Sequence, residues 1–238
     1  QPKTLRKQGL NIWDLSQGGR RRILSDLPDH GVDIVTFDTK GERWAYVDRN
    51  GPVSKQGRRT IQVTIRSGIS FRESATLENA GERYISHIAF SGDRIVACGS
   101  TGLIMWNLNT GKIIFTDNEI HTDSVRAGDT LMFSLDGKQF IIATGYEDEI
   151  QIRNSDDGSL VKNMPGYEVR AISKNWKWFA TFDGMHENIQ IHDMENGDIE
   201  FTLRGHTDLI NDVDFSADGS RLVSVASDRT FKIWDLTK

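Results

Sequence analysis

Apolar and polar residues alternate in short runs along this chain. Phe231-Lys232-Ile233-Trp234, Ile150-Gln151-Ile152 and Ile189-Gln190-Ile191 each place apolar side chains on one face of an extended strand. Helical spacing is scarce. Between the runs fall the turn dipeptides Asp136-Gly137, Asp157-Gly158, Asn196-Gly197 and Asp218-Gly219, in which glycine accepts the backbone angles of a tight turn. Many short strands separated in this way predict an all-β chain, built as a sandwich, barrel or propeller.

Self-similarity decides among these. The clearest unit opens with Gly205-His206-Thr207-Asp208, continues through Ile210 to Phe215 and Ser216-Ala217-Asp218-Gly219, and closes on Lys232-Ile233-Trp234-Asp235. It resembles a nearly complete WD40 repeat, with the opening Gly-His and closing Trp-Asp of that family. Earlier closing pairs in the same frame are Trp13-Asp14, Val63-Thr64, Trp106-Asn107, Arg153-Asn154 and His192-Asp193, so the six anchors lie 50, 43, 47, 39 and 42 residues apart. A propeller blade of about 40–45 residues fits most of these spacings. The longest needs an inserted hairpin, for which Asn50-Gly51-Pro52 to Gly57 is the natural place.

The resemblance implies a single β-propeller region over 1–238: a partial blade at 1–29, blades at about 30–74, 75–116, 117–163 and 164–203, and an incomplete last blade at 204–238. Five to six blades are represented. Counted in family order they hold about 21 strands, against roughly 28 in a seven-bladed ring. The chain also begins Gln1-Pro2, without an initiator methionine. It is therefore expected to be an incomplete part of a seven-bladed or larger propeller, with a compact five-bladed closure as the rival.

In the family, the opening histidine, a strand hydroxyl, a turn aspartate and the closing tryptophan form a hydrogen-bonded network. By motif position these are His206, Ser224, Asp228 and Trp234. Burial makes such a network useful, because buried polar groups are costly unless paired. The rival reading, Ser224 as a nucleophile served by His206 and Asp228, competes with a repeat motif that already accounts for all three.

The first strand of each unit follows the frame apolar-x-x-apolar-x-aromatic. Ile210-Asn211-Asp212-Val213-Asp214-Phe215 aligns with Ile85-Ser86-His87-Ile88-Ala89-Phe90 and with Val32-Asp33-Ile34-Val35-Thr36-Phe37. Val169-Arg170-Ala171-Ile172 follows it, and Val125-Arg126 opens it before about three extra residues. Core positions are predicted at Val32, Val35, Phe37, Ile85, Ile88, Phe90, Phe133, Ile172, Ile210, Val213 and Phe215. The resemblance places partner recognition on the narrow face around the central channel, where the second frame position points. The expected partner-binding ring is Asp33, Ser86, Arg126, Arg170 and Asn211. Two arginines among small polar groups suit an acidic or phosphorylated peptide.

Composition narrows the remaining options. A net charge of -5 argues against a general binder of nucleic acid or anionic membrane, and no apolar run approaches the roughly 20 residues of a membrane helix. Cys98 is the one cysteine, so there is no internal disulfide, and a reducing, cytoplasmic setting is expected.

Catalytic and metal motifs fail on inspection. His186-Glu187 lacks a second histidine, the required place being Gln190; Gly111-Lys112 has Trp106 where a phosphate loop needs glycine; Cys98-Gly99-Ser100-Thr101-Gly102 has Cys98 where a nucleophile elbow needs glycine. Arg20-Arg21-Arg22, Arg58-Arg59, Glu147-Asp148-Glu149 and Asp156-Asp157 read as solvated charge. Trp176 and Trp178 read as alternating residues of one strand that share a face, one in the core and one at its margin. No cofactor and no metal are expected. The leading function is a non-catalytic protein–protein interaction scaffold. Two alternatives are the ligand-sensing C-terminal part of a larger signalling or defence ATPase, and a propeller-based enzyme, which would need acids or histidines gathered at the channel mouth.

Overall fold

Strict alternation shapes the last strands of the chain. Along Arg221–Ala226 every second residue, Leu222, Ser224 and Ala226, is buried while those between are exposed, as a half-covered sheet requires. The structure, a computed structural model, describes residues 10–14, 20–24, 34–38, 42–48, 62–67, 73–77, 85–99, 102–120, 130–144, 149–165 and 169–237. Those residues form strands and turns with no helix among them, and hence no helix long and apolar enough to cross a membrane.

The chain divides into two compact units, Gln1–Ile85 and Ser86–Lys238. The first holds an antiparallel pair, β1 (Leu10–Asp14) and β2 (Arg20–Leu24), and a four-stranded sheet in the order β3 (Val35–Phe37), β4 (Arg43–Asp48), β5 (Gln62–Ser67), β6 (Glu73–Leu77). The second holds three more four-stranded sheets. They are β7 (Ile85–Ser91) to β10 (Ile113–Asp117), through β8 (Arg94–Gly99) and β9 (Gly102–Asn107); β11 (Thr130–Phe133) to β14 (Leu160–Pro165), through β12 (Gln139–Thr144) and β13 (Glu149–Asn154); and β15 (Val169–Ile172) to β18 (Ile199–Leu203), through β16 (Trp178–Phe182) and β17 (Ile189–Asp193). A three-stranded sheet follows: β19 (Ile210–Phe215), β20 (Arg221–Ala226) and β21 (Phe231–Asp235). Within each sheet the strands follow one another in sequence order as an antiparallel meander that short turns suffice to connect.

Sheets of the second unit stack through apolar layers. Val96, Cys98, Leu103 and Met105 of β8 and β9 meet Phe133, Phe140 and Ile142 of the next sheet. Ile141, Ala143, Ile150 and Ile152 meet Val169, Ile172, Phe179 and Met194. Ala180, Ile189 and Ile191 meet Ile210, Val213, Phe215 and Leu222. Middle sheets are thus buried on both faces.

One backbone tie recurs. In the second unit the N–H of the residue after each third strand donates to the carbonyl just before the second strand: Leu108 to Asp93, Ser155 to Lys138, Met194 to Lys177 and Leu236 to Ser220, at 2.7 to 2.9 Å.

Three expectations need correction. Register pairs Trp44 with Arg66 as it pairs Phe140 with Arg153 and Phe179 with His192. The irregularity between third and fourth strands also falls just before Arg66, Arg153 and His192. The third strand of the first four-stranded sheet therefore closes on Arg66-Ser67, three residues beyond Val63-Thr64. Among the predicted core positions, Ile85, Ile88, Phe90, Phe133, Ile172, Ile210, Val213 and Phe215 are buried, whereas Val35 and Phe37 are exposed; Val32 lies outside the described residues. Trp176 and Trp178 do not share a face either. Trp176 occupies the hairpin turn before β16 with φ 56°, at the place of Gly137 and Gly219, and packs on the layer below. Trp178 joins the layer above.

Candidate functional site

The turn after β20 and the loop before β19 converge on one histidine. His206 Nδ1 lies 2.8 Å from Asp228 Oδ2 and its Nε2 lies 2.7 Å from Ser224 Oγ. The Trp234 indole N–H donates to the same oxygen at 2.9 Å. Indole can only donate and an ionised carboxylate can only accept. Every group is satisfied when Nδ1–H donates to Asp228 and Nε2 is hydrogen-bonded to the Ser224 hydroxyl. Asp228 also accepts from the Thr230 hydroxyl (2.7 Å), the Thr230 amide (2.9 Å) and the Thr207 amide (3.1 Å). The Thr230 hydroxyl foremost, with His206 and the Thr207 amide, holds this carboxyl well below the usual carboxylate range.

Aspartate, histidine and serine in this order share the connectivity of a hydrolytic triad. Ser224 is 1% exposed, however, and its oxygen is already engaged by Trp234. No substrate carbonyl can reach it, so the arrangement locks a loop, a turn and two strands together.

Earlier sheets keep the positions while exchanging the residues. In the sheet of β16 and β17, His192 takes the tryptophan's place and Thr181, two residues after Phe179, takes the place of Ser224, which is two residues after Leu222. Their side chains lie 2.9 Å apart at His192 Nε2, while Nδ1 sits 3.0 Å from the Gly197 carbonyl oxygen and the ring stacks on Phe179 at 4.6 Å. Burial pushes the His192 pKa down, against the opposing Gly197 bond. The sequence reading gave this unit the closing pair His192-Asp193 but not the partner Thr181; the signal was a hydroxyl residue in the second strand at the place of Ser224.

In the sheet of β12 and β13 the closing position is Arg153. Its guanidinium contacts Gln151 Oε1 at 2.8 Å, the Gly158 carbonyl at 3.1 Å and Asp117 of the preceding sheet at 2.8 Å. A side-chain ion pair thus ties two sheets where the last unit uses an indole. In the first unit Arg66 stands there, buried, with its guanidinium 6.0 Å from the Trp44 ring and 5.7 Å from the Tyr46 ring, within cation–π range.

Comparison with known proteins agrees with this pattern. A family profile described as "WD domain, G-beta repeat" matches residues 197–235, the span of the complete network. Similar curated proteins include Autophagy-related protein 16 of Arabidopsis thaliana, 31% identical over 128 residues, covering 51% of this chain and 24% of the relative. Eukaryotic translation initiation factor 3 subunit I of Culex quinquefasciatus is 29% identical over 158 residues, 59% of this chain and 47% of the relative. Nuclear distribution protein PAC1 of Tuber melanosporum is 47% identical over 94 residues, 35% of this chain and 21% of the relative. This chain carries a WD40 repeat at residues 197–235. It spans less than half the length of each of these relatives.

With WD40 numbering of strands within a blade, the expected partner ring can be located. Asp33 and Arg126 lie outside the described residues. Asn211 is exposed at the start of β19, where the register shifts between Ile210 and Asp212, and its Oδ1 accepts from the Ser227 hydroxyl at 3.3 Å. Ser86 opens β7 at the matching WD40 position but is 5% exposed, with its hydroxyl donating to the Cys98 carbonyl at 3.1 Å. Its side chain is therefore committed to the fold.

Arg170 is displaced from the frame. Ile172 pairs with Phe179 as Phe215 pairs with Leu222, so Arg170 sits about two positions further along its strand than Asn211 does along β19. It is the extra residue of a bulge between Val169 and Ala171, a device that re-aims a side chain. Its guanidinium lies 4.9 Å from the Phe182 ring, and Phe182 lies 5.6 Å from the His186 ring. The His186 carbonyl accepts from the Ile210 amide at 2.8 Å, which brings the exposed Met185 and Leu209 to the same edge of neighbouring blades. No group of three or more His, Cys, Asp or Glu residues suited to a metal occurs among the described residues.

Proposed function

We propose that this chain is a non-catalytic protein–protein interaction scaffold that receives an acidic or phosphorylated segment on the blade edge around Arg170. WD-repeat relatives support an interaction role in general. The observation that carries the finer reading is the row Arg170, Phe182 and His186 beside Met185 and Leu209. A guanidinium seated on an aromatic ring keeps its donors oriented at little entropic cost, and such donors match carboxylate and phosphate oxygens. Neighbouring exposed apolar side chains offer the anchor that interfaces concentrate at their centres. Arg126, predicted for the same ring, is the second candidate donor.

Titrating the chain with acidic and phosphorylated peptide pools tests this. Arg170→Ala is expected to weaken binding about 10-fold or more, as for loss of a charge-assisted hydrogen bond, and Arg126→Ala to weaken it further. Binding unchanged in both variants would move the site elsewhere.

A further inference from the structure

Sulfur is distributed unevenly between the interior and the surface. Of the five methionines, Met105, Met164 and Met194 are buried and Met132 is half-buried against the apolar layer of β12 and β16. Met185 is 72% exposed. The one cysteine, Cys98, is buried. A reagent that attacks sulfur from solvent therefore meets one thioether first.

The turn that carries Met185 holds it there. Between β16 and β17 the Asp183 carboxylate accepts from the Glu187 amide at 3.0 Å and the Asn188 amide at 3.3 Å. The Asp183 carbonyl accepts from the His186 amide at 2.8 Å. His186 takes φ 56°, a conformation that residues other than glycine adopt at a cost. A Cβ on Gly184 would meet nothing within 4 Å, so the crest of the turn is open to a small molecule. The sheet beneath is packed on both faces inside the second unit, through the layers it shares with the sheets before and after it. Met185 thus owes its exposure to a braced turn.

Its neighbours give that position a consequence. His186 is the next residue, Arg170 lies 4.9 Å from the Phe182 ring, and the bond from the Ile210 amide to the His186 carbonyl brings exposed Leu209 to the same edge. A thioether here can be covered by an apolar group of a partner. A sulfoxide carries a polar S–O bond that such a group leaves unsatisfied.

We propose that Met185 is an oxidation-sensitive control point of the Arg170 edge; its control role rests on the reading of that edge as a binding surface. The oxidant is a peroxide. The sulfur lone pair attacks one peroxide oxygen, an S–O bond forms, the O–O bond breaks, and the second oxygen leaves as water. Sulfur is oxidised by two electrons and the peroxide is reduced by two. Reversal needs thiols: two of them remove the oxygen as water and end as a disulfide. Net charge is the same before and after, so Arg170 keeps its donors while the apolar part of the contact is lost.

Two measurements on the 238-residue chain test this. After mild hydrogen peroxide treatment, peptide mass mapping is expected to find Met185 oxidised about 10-fold or more ahead of Met105, Met164 and Met194, since susceptibility follows exposure. Binding of the acidic and phosphorylated peptide pools to the same sample is expected to weaken about 5-fold or more, as for damage to one apolar anchor, and to recover with a thiol and a methionine sulfoxide reductase. Met185→Leu is expected to bind like the parent and to ignore peroxide, and Met185→Gln to bind weakly without it. Met185 oxidised no faster than the buried methionines overturns the proposal whatever the binding shows. So does an oxidised chain that binds as tightly as the parent, and so does peroxide sensitivity that persists in Met185→Leu. A parent chain that binds neither pool before oxidation overturns the binding reading and the control role with it; selective oxidation of Met185 in that sample shows that the failure lies in the binding reading and leaves the chemistry of the turn standing.

Discussion

Ser224 Oγ accepts a hydrogen bond from the Trp234 indole and is hydrogen-bonded to His206 Nε2, so its removal strands two partners at once. Ser224→Ala is expected to lower stability by about 1–3 kcal/mol, the penalty for leaving buried polar groups unsatisfied, and thermal unfolding measures it. Charge adds a pH dependence. Asp228 is held low chiefly by the Thr230 hydroxyl, and Asp218 is lowered to about 2 by the Ser216 hydroxyl, then by the Ser220 amide and hydroxyl. An unfolded chain therefore takes up these protons first as pH falls. Their contribution is complete above about pH 4 and drains as pH drops toward 2 and below. Asp228→Asn should melt lower than the parent at neutral pH and lose less between pH 4 and pH 2. His192 works at higher pH: burial favours its neutral form, so its contribution is present above about pH 6.5 and declines as pH falls through its lowered value. In His192→Gln, melting temperature is expected to depend less on pH between about 6.5 and 5.

At the level of the strand and its turn, sequence carried the period better than the phase. Turn glycines and the Trp-Asp signature identified the repeat, and the complete last unit could be read residue by residue. Phase slipped at two of the places where chemistry had drifted. Val63-Thr64 fits a closing pair by spacing, yet the irregularity before Arg66 shows where β5 ends. Arg170 fits the second frame position by its apolar neighbours, yet the turn Ser173-Lys174-Asn175-Trp176 counts back to Ile172 as the counterpart of Phe215. A bulge changes which residue faces where without changing composition. Arg153 and His192 were legible at the tryptophan position, but their partners Asp117 and Thr181 were not, because geometry is kept between repeats while the hydrogen-bonding groups are exchanged. Hairpin turns also make neighbouring sheets interdependent. Asn175 Nδ2 donates to the Asp218 carbonyl at 2.9 Å, and a Cβ on Gly219, at φ +70°, would lie 2.6 Å from that nitrogen. Gly219→Ala is expected to cost about 1–3 kcal/mol through strain and displacement of Asn175, read as a fall in melting temperature that Gly92→Ala, with open space at its Cβ, does not match.

Across the whole chain, stability should be graded by coverage. Strands β12 and β16 have apolar residues buried on both faces, whereas β21 presents Phe231 and Ile233 to solvent. Amide exchange is accordingly expected to be slowest in Ile141–Ala143 and Phe179–Thr181 and faster in β21 under dilute conditions; equal rates would contradict the layered description. One feature recurs in all four sheets of the second unit irrespective of signature: the N–H at Leu108, Ser155, Met194 or Leu236 reaching back to the residue before the second strand. Leu108→Ala leaves that tie intact, while Leu108→Pro removes the donor and should cost about 1–3 kcal/mol more. Nineteen amino acids can supply this bond and one cannot, and the four prolines of the chain, Pro2, Pro28, Pro52 and Pro165, avoid all four positions. Divergence among repeats is therefore constrained here by a prohibition on one residue rather than by the retention of any. A lineage of blades can shed tryptophan, histidine and aspartate in turn and still descend with its backbone unchanged.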